Sequence, residues 1–186
     1  MNKETLIKEL NELSLNARIS YAIMCLENYV NSKHKDIDFT ILFNDLWKIN
    51  TAKLIDTEWY YPMMARSVSA VMEFGNYTDS DYSEDDNITE KQYNDYFNLY
   101  QKIQDDKELC TIIDTIINLP VHYLYTSVDD DGIKITSDIM KIVDILLKEN
   151  IETPSTSLLK DSQLSISDYT TNLDSSSLTN YSYLDN

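Results

Sequence analysis

The chain has 186 residues, a formal net charge of −17 at pH 7, two cysteines and two glycines. Its length suits one domain with an unstructured end. The acid surplus repels nucleic acid and anionic membranes and attracts basic proteins. The glycine shortage excludes phosphate-cradling loops and dinucleotide folds, whose backbone needs glycine to approach a ligand and reach positive φ.

The charge is unevenly spread. Residues 1–74 carry 8 basic and 10 acidic groups, residues 75–150 carry 6 and 17, and residues 151–186 carry 1 and 5. Most of the surplus therefore falls in the second half of an expected domain, 1–150, followed by a tail, 151–186. Cys25 and Cys110 each sit in an apolar periodic run and read as small buried hydrophobes, not as a disulfide or metal site. The N-terminus MNKETLIKEL lacks the apolar stretch of a secretory leader. No run reaches the roughly 18 uninterrupted apolar residues of a spanning helix. The expectation is a soluble, cytoplasmic protein.

Helical spacing dominates the chain in order. Leu6, Ile7, Leu10 and Leu13 predict a short amphipathic helix. Ile19, Ala22, Ile23, Leu26 and Val30 predict a second over 15–31, with Ser14 as its cap. Phe39, Leu42, Phe43, Leu46 and Trp47 follow, led in by Asp38. A fourth helix is expected over Thr57–Phe74, with Pro62 near its start, where a missing N–H is tolerated, or kinking it.

Thr89 and Gln92 form a T-x-x-Q capping box ahead of Tyr93, Tyr96, Phe97, Tyr100 and Ile103. A sixth helix runs from about Lys107 to Pro120 and resumes at Val121–Ser127. A β-hairpin over Val121–Thr136 competes there, because Asp131-Gly132 is a hairpin signal between two apolar runs. The seventh helix is expected to be capped by Ser137 and to bury Ile139, Ile142, Val143 and Leu146. After Pro154 the Ser/Thr/Asn/Asp-rich tail cannot offset its backbone entropy, about 1–2 kcal/mol per residue, and is expected to be disordered. Docking of Leu158, Leu159, Leu164 and Ile166 is the alternative. The fold expected is all-α, a single bundle of six or seven helices.

Chemistry is sparse. Asp79, Asp81, Ser83, Asp85, Asn87 and Glu90 match the ligand spacing of an EF-hand loop, but Glu84 replaces the required glycine and Asp86 the required apolar residue. That segment reads instead as a solvated acidic loop, and no metal or other cofactor is expected. His34 lies in a polar loop, and His122 reads as a satisfied, half-buried side chain. No zinc, nucleophile-elbow or thiol-pair motif occurs, so the chain is not expected to be an enzyme.

The fourteen tyrosines mingle with acid. Those from Tyr93 to Tyr100 suit a helix core, whereas Tyr77 and Tyr82 have no periodic role. Tyrosine gives rigid contact area and carboxylates steer a basic partner. The candidate partner-binding residues are therefore Tyr77, Asp79, Asp81, Tyr82, Glu84, Asp85 and Asp86 in one loop, and Asp129, Asp130 and Asp131 in another. The two loops would share a face if their helices are neighbours.

The order RISYAIMCLENYV (Arg18–Val30), a polar gap, FNDLWKI (Phe43–Ile49) and DTEWYYP (Asp56–Pro62) resembles immunity proteins of the Imm6 type from bacterial polymorphic toxin systems. The likeness covers about residues 10–150. It implies an all-α protein that binds and neutralises a cognate toxin, and it carries no catalytic residues over. With the charge, it points to a basic toxin such as a nuclease. The alternative is another acidic inhibitor, such as a phage-encoded anti-defence protein that mimics DNA charge. Acidity serving only to keep the protein in solution also stays open.

Overall fold

The computed structural model describes residues 2–81, 87–125, 133–162 and 175–179. Among them are helices and helical turns, with no strand. The chain runs α1 (Lys3–Asn11), α2 (Leu15–Lys33), α3 (Thr40–Leu46), α4 (Tyr61–Met64), α5 (Val68–Phe74), α6 (Glu90–Ile103), α7 (Lys107–Asn118), α8 (Val121–Leu124) and α9 (Ile133–Lys148). A 3-10 turn (Trp47–Asn50) extends α3, and a π-helical turn (Ile55–Tyr60) leads into α4.

Helix α2 is the axis. Its apolar stripe is widened by Tyr21, Met24, Cys25 and Tyr29 until nearly the whole circumference is buried, as for a helix enclosed on every side. It packs against α7, α9, the Trp47–Asn50 turn and a later 3-10 turn, Thr156–Ser162. Several of the polar residues it carries inward are partnered, whereas the buried Tyr21 hydroxyl has no hydrogen-bond partner among the described residues. Arg18 Nε donates to the Leu13 carbonyl and Nη2 to the Asn11 carbonyl, both at 3.0 Å, closing the end of α1. Glu27, with no exposed surface, accepts the Trp47 Nε1–H at 2.9 Å. Asn50 Oδ1 accepts from Ser20 Oγ at 3.1 Å.

Three tyrosines explain how α6 is fixed. Tyr93, Tyr96 and Tyr100 occupy its buried face, and each hydroxyl finds an acceptor on another element. Tyr93 donates to the Val71 carbonyl (2.8 Å), Tyr96 to the Asp45 carboxylate (2.9 Å) and Tyr100 to the Arg66 carbonyl (2.6 Å). Burial raises the Tyr96 and Tyr100 hydroxyls well above the usual phenol range, so both remain protonated donors. Asp45 also lies 3.1 Å from Arg66 Nε and 2.5 Å from Lys48 Nζ.

Several expected elements stand as read. The Thr89–Gln92 capping box is complete in both directions. Asp38 accepts the Thr40 N–H at the start of α3 (2.8 Å). Ser14 is the N-cap residue of α2, although its hydroxyl turns to Asn16 Oδ1 (2.8 Å) instead of a backbone N–H.

Others are corrected. The single helix expected over Thr57–Phe74 breaks between Met64 and Val68. Ser67 caps α5 by accepting the Ala70 N–H, and the Asp114 carboxylate of α7 accepts the Val68 and Ser69 N–H groups at 2.7 and 3.1 Å. With those donors satisfied from outside, an uninterrupted helix is unnecessary. Ser137 is no cap, because α9 begins at Ile133. Burial of Ile135 and Thr136, with Thr136 Oγ1 donating to Asn11 Oδ1 (2.6 Å), extends its inner face. The same helix removes the β-hairpin, whose second arm would have been Ile133–Thr136.

Packing continues past residue 150. Asn150 adopts φ 56°, and the Ile151 N–H returns to the Leu146 carbonyl (2.8 Å), a left-handed helix stop. Thr156 Oγ1 then donates to Glu9 (2.6 Å), and Leu159 and Leu178 are buried. Of the four tail residues considered for docking, Leu159 docks, Leu158 is exposed, and Leu164 and Ile166 lie outside the described residues.

Asp45 and Lys48 give a contrast to measure. Asp45→Ala removes the carboxylate beside the buried Arg66 guanidinium, which then keeps only the Pro62 carbonyl among the described residues, and is expected to cost about 3 kcal/mol. Lys48→Ala removes an exposed pair and is expected to cost about 0.5 kcal/mol or less. Urea denaturation of both variants checks the ordering, and equal losses would contradict the buried network.

Candidate functional site

The first candidate loop begins where α5 ends on Gly75, whose φ of 75° is the left-handed stop that glycine adopts without strain. Asn76 then folds the following turn onto itself. Its Oδ1 accepts the Asp79 N–H (3.0 Å) and its Nδ2 donates to Asp79 Oδ2 (2.7 Å). Ser80 is buried, with its hydroxyl on the Tyr77 carbonyl (2.6 Å). Asp79 and Asp81 flank it and are exposed. The turn thus presents Asp79 to solvent on a hydrogen-bonded backbone, with the exposed Asp81 two residues on.

Tyr77, expected as a contact residue, is placed otherwise. Its ring is half-buried and packs edge-on against Tyr93 (centroids 5.7 Å, 64°), and its hydroxyl donates to the Ile88 carbonyl at 3.4 Å. It anchors the acidic turn to α6. Tyr82, Glu84, Asp85 and Asp86 of the same loop, and Asp129, Asp130 and Asp131 of the second, lie outside the described residues. So does the expected meeting of the two loops. The EF-hand-like spacing crosses that gap, and its last position, Glu90, is the first residue of α6. Among the described residues no group of three or more His, Cys, Asp or Glu side chains is placed to hold a metal ion.

The histidines fill structural positions. His34, expected in a polar loop, is the residue that ends α2, and its Nε2 lies 2.8 Å from Asp106 Oδ2. Asp106 caps α7 through the Leu109 N–H (2.9 Å) and accepts the Tyr29 hydroxyl at 3.0 and 3.1 Å. One carboxylate therefore joins the end of α2 to the start of α7. Burial by itself would raise the Asp106 carboxyl, but the bonds from His34, Leu109 and Tyr29 outweigh it and hold the group below the usual carboxylate range. His122, as expected, is half-buried and satisfied, with Nε2 2.8 Å from Asp138 Oδ2.

A shallow cleft of about 340 Å³ lies between α7 and α9, lined by Thr111, Asp114, Thr115, Asn118, Asp138 and Lys141. Its polar groups have internal work. Asp114 caps α5, Asn118 donates to the Asp114 carbonyl (2.8 Å), Thr111 to the Lys107 carbonyl (2.7 Å), and Lys141 pairs with Asp138. Burial raises the Asp114 carboxyl despite the two N–H groups it caps, which reflects its role at the α5 terminus.

Sequence reasoning missed one feature. Tyr61 and Tyr125, 64 positions apart, bring their hydroxyls to 2.5 Å on the exposed surface. Neither has a periodic role, which was the available signal, but nothing local brings them together.

No known family model, curated protein or solved structure matches this chain. No helix among the described residues is long and apolar enough to cross a membrane.

The Asp106 junction gives a pH test. A depressed carboxyl contributes stability that is present above its unfolded value and lost as pH falls through its folded one. The stability gap between the parent and Asp106→Asn should be present above the usual carboxylate range and close below about pH 4. Urea titrations across that range measure it, and a gap independent of pH would contradict the assignment.

Proposed function

We propose that this protein is an immunity-type inhibitor that binds and neutralises a basic bacterial toxin, such as a nuclease, inside the cell that makes both. The observation that carries the proposal is the pinned acidic turn. Asp79 and Asp81 are exposed, and Asp79 is held by Asn76 in a turn fixed by Ser80 and the Tyr77–Tyr93 contact, in the half of the domain richest in acid. A binding surface loses least on association when its backbone is already ordered. A nuclease active site is electropositive because it receives phosphates, so carboxylates on a rigid turn can occupy it. The likeness of Arg18–Val30, Phe43–Ile49 and Asp56–Pro62 to immunity proteins of the Imm6 type agrees in direction. The all-α scaffold suits that family's mode of action, which is binding.

The test has two stages. The tagged chain is used to capture protein from its native lysate at low and high salt, and the activity of any captured protein is assayed with and without the chain. A basic protein, held at low salt, released at high salt and inhibited at equal stoichiometry, is the expected result. A bound protein that keeps full activity, or binding indifferent to salt, would contradict the proposal. Asp79→Lys with Asp81→Lys is expected to weaken binding by about 100-fold, because like charges at an interface cost several kcal/mol, while the far-ultraviolet spectrum and melting stay as in the parent.

A further inference from the structure

Besides the acidic turn, the described surface carries two exposed tyrosine rings, Tyr61 and Tyr125, seated against a third, Tyr60, that belongs to the core. Tyr60, at the end of the π-helical turn, is buried and forms the floor. Tyr61 opens α4 and Tyr125 follows α8, and they are 43% and 60% exposed. The Tyr60 ring centroid lies 5.5 Å from Tyr61 at 49° and 6.4 Å from Tyr125 at 60°. The Tyr61 and Tyr125 hydroxyls meet at 2.5 Å, tying the two walls together. Asp56, within the same turn as Tyr60, has Oδ1 on the Thr57 N–H (2.8 Å). The hydrogen bond to Tyr61, slight burial, and the charge of neighbours including Asp56 push the Tyr125 hydroxyl up to about 12. The Tyr61 N–H donates to the Asp56 carbonyl, which sets Asp56 one turn before Tyr61 on the same stretch of helix.

Tilted aromatic faces with a carboxylate beside them form a receptor for a planar cation. Ring faces carry negative potential, and a guanidinium can stack on one while directing an N–H to the carboxylate. An ammonium is more tightly hydrated and gains less from stacking. The protein's net charge of −17 favours a cationic partner over an apolar one. We infer that Tyr61 and Tyr125, floored by Tyr60 and flanked by Asp56, form an anchor site for an arginine side chain of a basic protein partner. This rests on the proposed binding of a basic protein and adds a second contact surface, distinct from the Asp79–Asp81 turn, together with the side chain it takes.

The test uses fluorescein-labelled hexa-arginine and hexa-lysine peptides, with anisotropy read at low salt. The parent is expected to bind hexa-arginine more tightly than hexa-lysine. Tyr61→Ala with Tyr125→Ala should weaken hexa-arginine binding by about tenfold and abolish the preference, whereas Asp79→Asn with Asp81→Asn should weaken both peptides and keep it. Tyr61→Phe with Tyr125→Phe retains the rings and should retain the preference, which guards against a folding defect in the alanine variant. Equal affinity of the parent for the two peptides, or a preference that survives loss of both rings, would overturn the anchor site and leave the basic-partner proposal standing. Binding of neither peptide would overturn both.

Discussion

Everything in this fold depends on enclosing α2. A helix buried on nearly every side is under pressure to satisfy the polar groups it takes inward, since an unpaired one costs more than a typical hydrogen bond returns. The Tyr21 hydroxyl is the one on α2 that stays unpartnered among the described residues. Arg18, Ser20 and Glu27 meet that demand by reaching the end of α1, the Trp47–Asn50 turn and the Trp47 indole. These are directional bonds to separate elements, so they fix where the neighbours sit as well as how much is buried. Thr179 closes the same arrangement by donating to Glu27, which places a late piece of chain against the innermost carboxylate.

The outer helices repeat the device. α6 is located by three tyrosine hydroxyls, α5 by Asp114, and the α2–α7 corner by Asp106. Apolar burial supplies the driving force, but these bonds choose one packing among the many that hydrophobic helices can adopt. The charge follows from the same division. Carboxylates at structural points are partnered, and among the described residues others stand on the outside, such as Glu73, Asp79, Asp81 and Asp95. Exposed acid of that kind repels itself and contributes little to folding.

The parts of this structure legible in the sequence are those set by local chemistry. Thr89 and Gln92 face each other because a helix start brings them together, and the spacing of Ile139, Ile142, Val143 and Leu146 is the buried face of α9. What the sequence hid was set at long range. The break before Val68 depends on Asp114, 46 positions away, and the early start of α9 on a bond from Thr136 to Asn11. Tyr77 lacks a periodic role because it sits in a loop, and its burial against Tyr93 could not be read from that loop alone. Leu159 and Leu178 lie in a stretch too polar to build a core, yet each fills a place on a core built by others. Of the candidate site, the exposure of Asp79 and Asp81 was legible from composition; the Asn76 turn that holds them, and the Tyr61–Tyr125 pair, were not.

The proposed function requires that the acid surplus is no part of what keeps the chain folded. Urea stability of the isolated protein, measured as ionic strength rises from about 0.01 M to about 1 M in sodium chloride, tests it most directly. Screening should relieve self-repulsion, so stability is predicted to rise with salt. A steady fall would mean that surface ion pairs hold the fold together, and would contradict the account.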